Sequence, residues 1–272
     1  MAASVDIDEL MRAGHPFLRE TAEAMVALVE KNARALGRPA RVLEIACASG
    51  MLTAMVRARL PDAEIVAQEA IADFAPLAER RLGKSARLVF APLAAVEGTF
   101  DVVYSGGAHH HLPQSYLGEA RARTGGVFIL GDEFCPEYCT GDDAERIARA
   151  ELIHREDGWV FTTRNEVAAW RARREVPPHA VAREERRKRA LWTWYRFVVD
   201  QALAGGHWEV AASELRSASD DFATGSTAEH KMAPSIAERE LLLHGFRTRS
   251  KMLIGPAERP ELHSFFVYEL HV

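Results

Sequence analysis

Three cysteines in 272 residues leave no disulfide framework to read, and so low a count fits a reducing compartment. No apolar run approaches the roughly 20 residues that a helical membrane span needs. An excess of positive charge is missing too. Lys and Arg number 34 against 39 Asp and Glu, a net charge of −5, so nucleic acid, which is held by counterion release on a basic face, is not an expected partner. The opening residues MAASVDIDEL are acidic and hold no signal-peptide hydrophobic stretch. The expectation is a cytoplasmic protein with a small-molecule partner, no nucleic acid and no membrane. Nothing in the composition sets an oligomeric state.

A hydrophobic share of 48% is ample for a sizeable core. It is arranged as an alternation. Residues 16–36 have helical spacing, RVLEIA at 41–46 reads as a strand, and a helix follows at about 51–60 until Pro61. Further short apolar runs stand at 63–69, 86–91, 100–106 and 125–132, with a helix through Leu77 and Leu82 that stops at Gly83. Runs this short and unalternated suit parallel strands buried on both faces, and the β-α repeat predicts a doubly wound α/β sheet. The rhythm breaks between 133 and 233, where all five tryptophans lie. There DGW at 157–159 reads as a hairpin turn, and Thr163 with Glu166 has capping-box spacing for a helix through Trp170. A charged helix, REERRKRALWTWYRFVVDQALA, follows Pro177-Pro178. Ser235 with Glu238 marks another capping box for a helix ending at Gly245, before two last strands. The predicted division is a core of 1–132 and 234–272 with a mainly helical insertion, 133–233, after the fifth strand.

Glu44 carries the strongest functional signal. It sits at the mouth of the first strand, followed by small residues at 46, 48 and 50 in E-I-A-C-A-S-G. Small residues allow a tight turn and let a ligand approach the main-chain N–H groups. The spacing is not the G-x-G-x-x-G of a dinucleotide site, and a carboxylate there disfavours a pyrophosphate while suiting an ammonium or sulfonium. Glu69 ends the second strand at the distance where a carboxylate accepts both ribose hydroxyls. Together the two describe a cationic nucleoside, and an NAD enzyme is disfavoured.

E-I-A-C-A-S-G resembles the first motif, D/E-x-G-x-G-x-G, of the class I S-adenosylmethionine (SAM) dependent methyltransferases. FDVVYSGGAHHHL resembles the fourth-strand segment of their small-molecule branch, GGVFILGD the fifth strand, and LLLHGFRTRS with FFVYEL the closing helix and strands. The likeness covers 41–132 and 234–272. It implies a doubly wound, mainly parallel seven-stranded sheet with an antiparallel last strand, and SAM as cofactor. Glu44, Ala46, Ala48 and Gly50 would hold the amino-acid end of SAM, Glu69 the ribose, and Ser105 and Gly106 the floor of the site. Two departures stand out. Ala46 and Ala48 replace motif glycines, and F-A-P-L-A at 90–94 lacks the usual acidic residue after the third strand.

Residues for the reaction are less distinctive. His109, His110 and His111 stand where the fourth strand ends, and His110 is the candidate base. C-x3-C at Cys135 and Cys139 with adjacent histidines is not a usual zinc spacing, so no metal is expected. Asp132, Glu133 and Tyr138 in DEFCPEYC would orient or deprotonate a nucleophile, or form a solvated acidic loop. Trp192 and Tyr195 fall on one helical face, either as an aromatic wall around the substrate or as packing. His15 and Arg19 on the first helix would reach the SAM carboxylate if that helix folds over the site. The expected activity is methyl transfer to a small molecule. The alternatives on the same fold are cyclisation of SAM to azetidine-2-carboxylate with release of methylthioadenosine, and a non-catalytic SAM-fold protein.

Overall fold

In the computed structural model, residues 7–150, 154–156, 159–223 and 229–272 are described. Two helices come first, α1 (Ile7–Gly14) and α2 (Leu18–Arg34), separated by Phe17 in a left-handed conformation (φ 69°) that no continuous helix accommodates. Then alternate β1 (Arg41–Ile45), α3 (Met51–Arg59), β2 (Glu64–Glu69), α4 (Ala75–Leu82), β3 (Arg87–Phe90), β4 (Phe100–Gly106), α5 (Tyr116–Arg123) and β5 (Thr124–Glu133). The segment after β5 holds α6 (Gly141–Arg149), the strands β6 (His154–Glu156) and β7 (Trp159–Phe161), α7 (Arg164–Arg173), α8 (Pro178–Ala204) and α9 (Trp208–Phe222). The chain returns to the sheet through α10 (Pro234–Leu243), β8 (Arg247–Gly255) and β9 (Phe265–His271).

The main sheet has seven strands in the order β3-β2-β1-β4-β5-β9-β8, with β9 antiparallel to both of its neighbours. The expected doubly wound, mainly parallel α/β sheet with a helical insertion after its fifth strand is the one observed. Its order reverses between β1 and β4, which opens a crevice at the carboxyl ends of those strands. Alternate residues of each strand feed two cores. Leu43, Ile45, Val103 and Phe128 pack under α5 and α10, whereas Val42, Ile65, Val102 and Ile129 pack under α2 and α3. Register places Glu44 beside Ala67 on one side and Tyr104 on the other, near the ends of the strands that border the crevice. No helix among the described residues is long and apolar enough to cross a membrane.

Several local expectations change. The helix predicted over 16–36 spans 18–34, and α1 ahead of it, 8 residues with Ile7, Leu10 and Met11 at helical spacing, is a further helix beyond those expected. Helix α9 was not expected from WEVAASELRSASDDF, whose serines and aspartates are weak helix formers. The Thr163 cap forms, its hydroxyl accepting from Glu166 N, while the Glu166 carboxylate reaches back to Thr162 N at 2.7 Å. The Ser235–Glu238 box does not form. Pro234 takes the first position of α10 after Ala233, Ser235 Oγ donates to Glu137 at 2.8 Å, and Glu238 pairs with Lys251. β6 and β7 pair antiparallel, as a hairpin at DGW requires, although residues 157 and 158 of that turn lie outside those described.

Candidate functional site

The turn between β1 and α3 carries three left-handed residues in alternation, Ala46 (φ 56°), Ala48 (φ 45°) and Gly50 (φ 75°). Only Gly50 is free of a steric penalty at that conformation, and it has no room for a side chain either, since a Cβ there would stand 2.6 Å from Leu82 Cδ1. Backbone winding of this kind turns successive N–H groups inward, where side chains of β2 receive them. Ala46 N donates to Gln68 Oε1 at 3.2 Å, and Ala48 N donates to Glu69 Oε2 at 2.8 Å. The other Glu69 oxygen accepts Ile71 N at 2.8 Å, and Gln68 Nε2 donates to Ala91 O at 2.7 Å. One buried amide thus braces the loops after β1 and β3. Gln68 was not singled out by sequence, because a glutamine inside an apolar strand carries no motif. Arg81 of α4 closes the outer side of the turn by donating to Ser49 O at 2.9 Å and to Ser49 Oγ.

Glu44 is 2% exposed and accepts from Tyr104 OH at 3.0 Å and from Thr53 Oγ1. Burial first, and then the Glu44 charge, raise the Tyr104 pKa well above its usual value, so Tyr104 stays protonated and donates to Glu44. Ser105, next along β4, is fully buried with no hydrogen-bond partner for Oγ. Gly106 leaves space for helix α2 to approach. A Cβ there would stand 2.8 Å from Leu52 Cδ2 and 3.1 Å from Met25 Sδ.

A second constellation lies where β4 and β5 meet the inserted segment. Asp132, 1% exposed, accepts His110 Nδ1 at 2.8 Å and His110 N at 2.9 Å. Burial opposes charge on both partners. Their mutual attraction outweighs it, holding Asp132 down to about 2 and raising His110. The outer nitrogen of His110, Nε2, stands 3.4 Å from Glu229 Oε2. His109 points elsewhere, with Nδ1 2.8 Å from Tyr116 OH and Nε2 3.8 Å from Glu240, and burial pushes it down to about 4. Burial likewise pushes Glu240 up to about 8.

Glu133 is bound to Trp194 Nε1 and lies 3.8 Å from Lys231 Nζ; burial raises its pKa. Lys231, 2% exposed, donates to Tyr195 OH at 2.8 Å and to Glu229 Oε2 at 3.0 Å. Burial opposes its charge, but Glu133, the Tyr195 hydroxyl and Glu229 more than offset this, and the net direction is well up. Tyr195 OH donates to Asp221 Oδ2 at 2.9 Å, and Asp221 Oδ1 accepts from Arg187 Nη2 at 2.6 Å. His15 from the α1–α2 junction meets Glu133 and Glu214. Asp132, Glu133, His110 and Tyr195 therefore belong to one buried polar network. Lys231, Glu229, Glu214 and His15 complete it, although no local spacing links them in the sequence.

The remaining candidates sit apart. Tyr138 is buried, but its hydroxyl faces Met232 Sδ at 3.4 Å. Trp192 is 54% exposed, in contrast to its expected place beside Tyr195. The buried stripe of α8 runs through Leu191, Trp194, Tyr195 and Val198, and Trp192 lies one residue off it, turned by roughly 100°. Arg19 is exposed on α2, and from that junction it is His15 that enters the interior.

No family profile matches the chain, and no curated protein matches it in sequence. Solved structures do. The SAH-bound magnesium protoporphyrin IX methyltransferase from Synechocystis PCC 6803 aligns over 100% of this chain and 89% of its own, at 11% identity and a TM-score of 0.50. The 1,6-didemethyltoxoflavin-N1-methyltransferase from Burkholderia thailandensis aligns over 100% and 91%, at 14% identity and a TM-score of 0.47. Mycolic acid cyclopropane synthase CmaA1 aligns over 89% and 83%, at 10% identity and a TM-score of 0.49. At 11% identity the Synechocystis likeness speaks to the fold alone, and the strand order agrees with it. The chain has the class I SAM-dependent methyltransferase fold, of the kind seen in the Synechocystis enzyme.

Proposed function

We propose that the protein binds SAM at the turn after β1 and methylates a small molecule held between the sheet and segment 133–233. One observation carries this reading. Two buried carboxylates, Glu44 and Glu69, end adjacent parallel strands and flank a turn wound left-handed at Ala46, Ala48 and Gly50. That arrangement suits a cationic nucleoside and opposes a pyrophosphate. In this assignment Glu44 and the turn face the amino-acid end, Glu69 takes the ribose, and the unpartnered Ser105 Oγ beside Gly106 is a polar atom left for the ligand. The Synechocystis neighbour, solved with SAH, supports the same cofactor. Residues 1–132 and 234–272 then form the cofactor core and 133–233 the substrate-enclosing part.

SAM supplies a methyl group already activated by its sulfonium, so the protein's task is positioning and exclusion of water. Asp132 fixes the His110 ring through Nδ1 and leaves Nε2 to accept a proton from the acceptor atom. Tyr195 supplies a further polar contact to the acceptor, and Glu133 with Trp194 forms the wall behind it.

Incubation with methyl-labelled SAM, with and without a small-molecule extract, tests the activity by mass spectrometry of the products. S-adenosylhomocysteine and a labelled product should appear only with the extract. Methylthioadenosine formed from SAM alone would overturn methyl transfer in favour of cleavage at another carbon–sulfur bond. SAM left intact with every extract would mark a binding protein.

A further inference from the structure

His15 presents its ring between Glu133 at the end of β5 and Glu214 of α9, and the three are 4%, 7% and 3% exposed. Nδ1 lies 2.8 Å from the Pro16 carbonyl oxygen, which makes it the N–H nitrogen and turns the Nε2 lone pair toward the carboxylates. Nε2 stands 3.5 Å from Glu214 Oε2 and 3.7 Å from Glu133 Oε2. A charge-assisted hydrogen bond closes to about 2.7–2.9 Å. At the longer spacing neither His15 Nε2 nor Glu214 Oε2 has a hydrogen-bond partner, although both are buried. The spacing is that of ligands on one small cation. With bonds of about 2.0–2.2 Å, neighbouring ligands of a tetrahedral ion stand about 3.4 Å apart.

We propose that His15, Glu133 and Glu214 bind one divalent transition-metal ion, through Nε2 and one oxygen of each carboxylate. The outer contacts have the form that orients ligands. The Pro16 carbonyl holds the imidazole, and Trp194 Nε1 holds the second Glu133 oxygen. One imidazole with two carboxylates suits Zn²⁺, Mn²⁺ or Fe²⁺ better than the all-oxygen preference of Ca²⁺ or Mg²⁺. The ion ties the α1–α2 junction, β5 and α9 together at the boundary between the sheet and the inserted helices. His110, His111 and Glu229 also bring ligand atoms within 4.8 Å of one another. That second group is less suited, because the Lys231 ammonium donates directly to its ligand oxygen, Glu229 Oε2, at 3.0 Å, whereas it stands 3.8 Å from Glu133 Oε1, the oxygen that Trp194 binds. The site is independent of the SAM assignment.

The full chain, freed of metal with a chelator, is titrated calorimetrically with Zn²⁺ and with Mn²⁺, and its Co²⁺ form is examined by visible absorption. The expected result is one equivalent per chain and a cobalt spectrum of nitrogen and oxygen ligands without a thiolate charge-transfer band. His15→Gln and Glu214→Gln should each weaken binding at least about tenfold, and His111→Gln should leave it unchanged. No bound equivalent would leave His15 as an imidazolium between two carboxylates and overturn the proposal. So would an equivalent that survives both ligand variants or disappears with His111→Gln. If Glu214→Gln does not fold, the stoichiometry and cobalt spectrum of the unaltered chain decide alone.

Discussion

Replacing Ala46 and Ala48 by glycine should stabilise the protein, against the usual direction of alanine-to-glycine changes. Both residues are left-handed, at φ 56° and 45°. That conformation costs an L-residue about 1–2 kcal/mol. Glycine removes the cost but adds unfolded-state entropy worth about 0.5–1 kcal/mol. The net gain is about 0.5–1 kcal/mol for each site, and a rise in Tm of a few degrees for the double variant. The hydrogen bonds from Ala46 N to Gln68 and from Ala48 N to Glu69 are made by the backbone and survive both changes. Ala120 is the control, since it is fully buried in α5, where glycine should cost about 1 kcal/mol or more. Urea denaturation and scanning calorimetry of the parent and the four variants read the result. If Ala46→Gly and Ala48→Gly lower stability as Ala120→Gly does, the turn is not wound as described and the basis for the cofactor site falls.

Glu240→Gln should flatten the dependence of stability on pH. The folded protein keeps the Glu240 proton up to about 8 against an ordinary 4.5, so stability is fully present below 4.5 and lost as pH rises toward 8. At about 1.4 kcal/mol for each pH unit, the loss is on the order of 4 kcal/mol, and urea melts from pH 5 to 9 should show it vanish in the variant. An unchanged slope would refute the burial argument. Glu69→Ala removes the acceptor of Ala48 N and Ile71 N. It should cost about 3 kcal/mol in the same melts, and a neutral effect would show that the carboxylate does not brace the turn.

The parts that were readable in the sequence are those in which spacing along the chain sets geometry. Glu44, Gly50 and Glu69 belong to a strand-turn-helix-strand unit, so a short string determines how they meet. Asp132 and His110 were placed separately at the ends of neighbouring strands, and their pairing came only with the structure. The His15–Glu133–Glu214 group draws on three elements that only tertiary packing brings together, and Lys231 joins from a fourth segment. Trp192 shows the limit of helical periodicity. It lies three residues from Tyr195, yet which face of α8 is buried depends on what packs there, and Trp194 and Val198 meet Leu262 and Phe265. At Ser235 a neighbouring proline displaced the cap that the spacing promised.

Calorimetric titration of the purified chain with SAM, S-adenosylhomocysteine and NAD is the most direct measurement of all. SAM and S-adenosylhomocysteine should each bind at one site, with NAD giving no signal. Glu69→Ala should lose the paired ribose contacts, at least about tenfold in affinity, and Glu44→Gln should weaken binding while the protein stays folded. Binding of NAD as tight as that of SAM, or SAM affinity untouched by both substitutions, would contradict the assignment of the crevice between β1 and β4 to a sulfonium nucleoside.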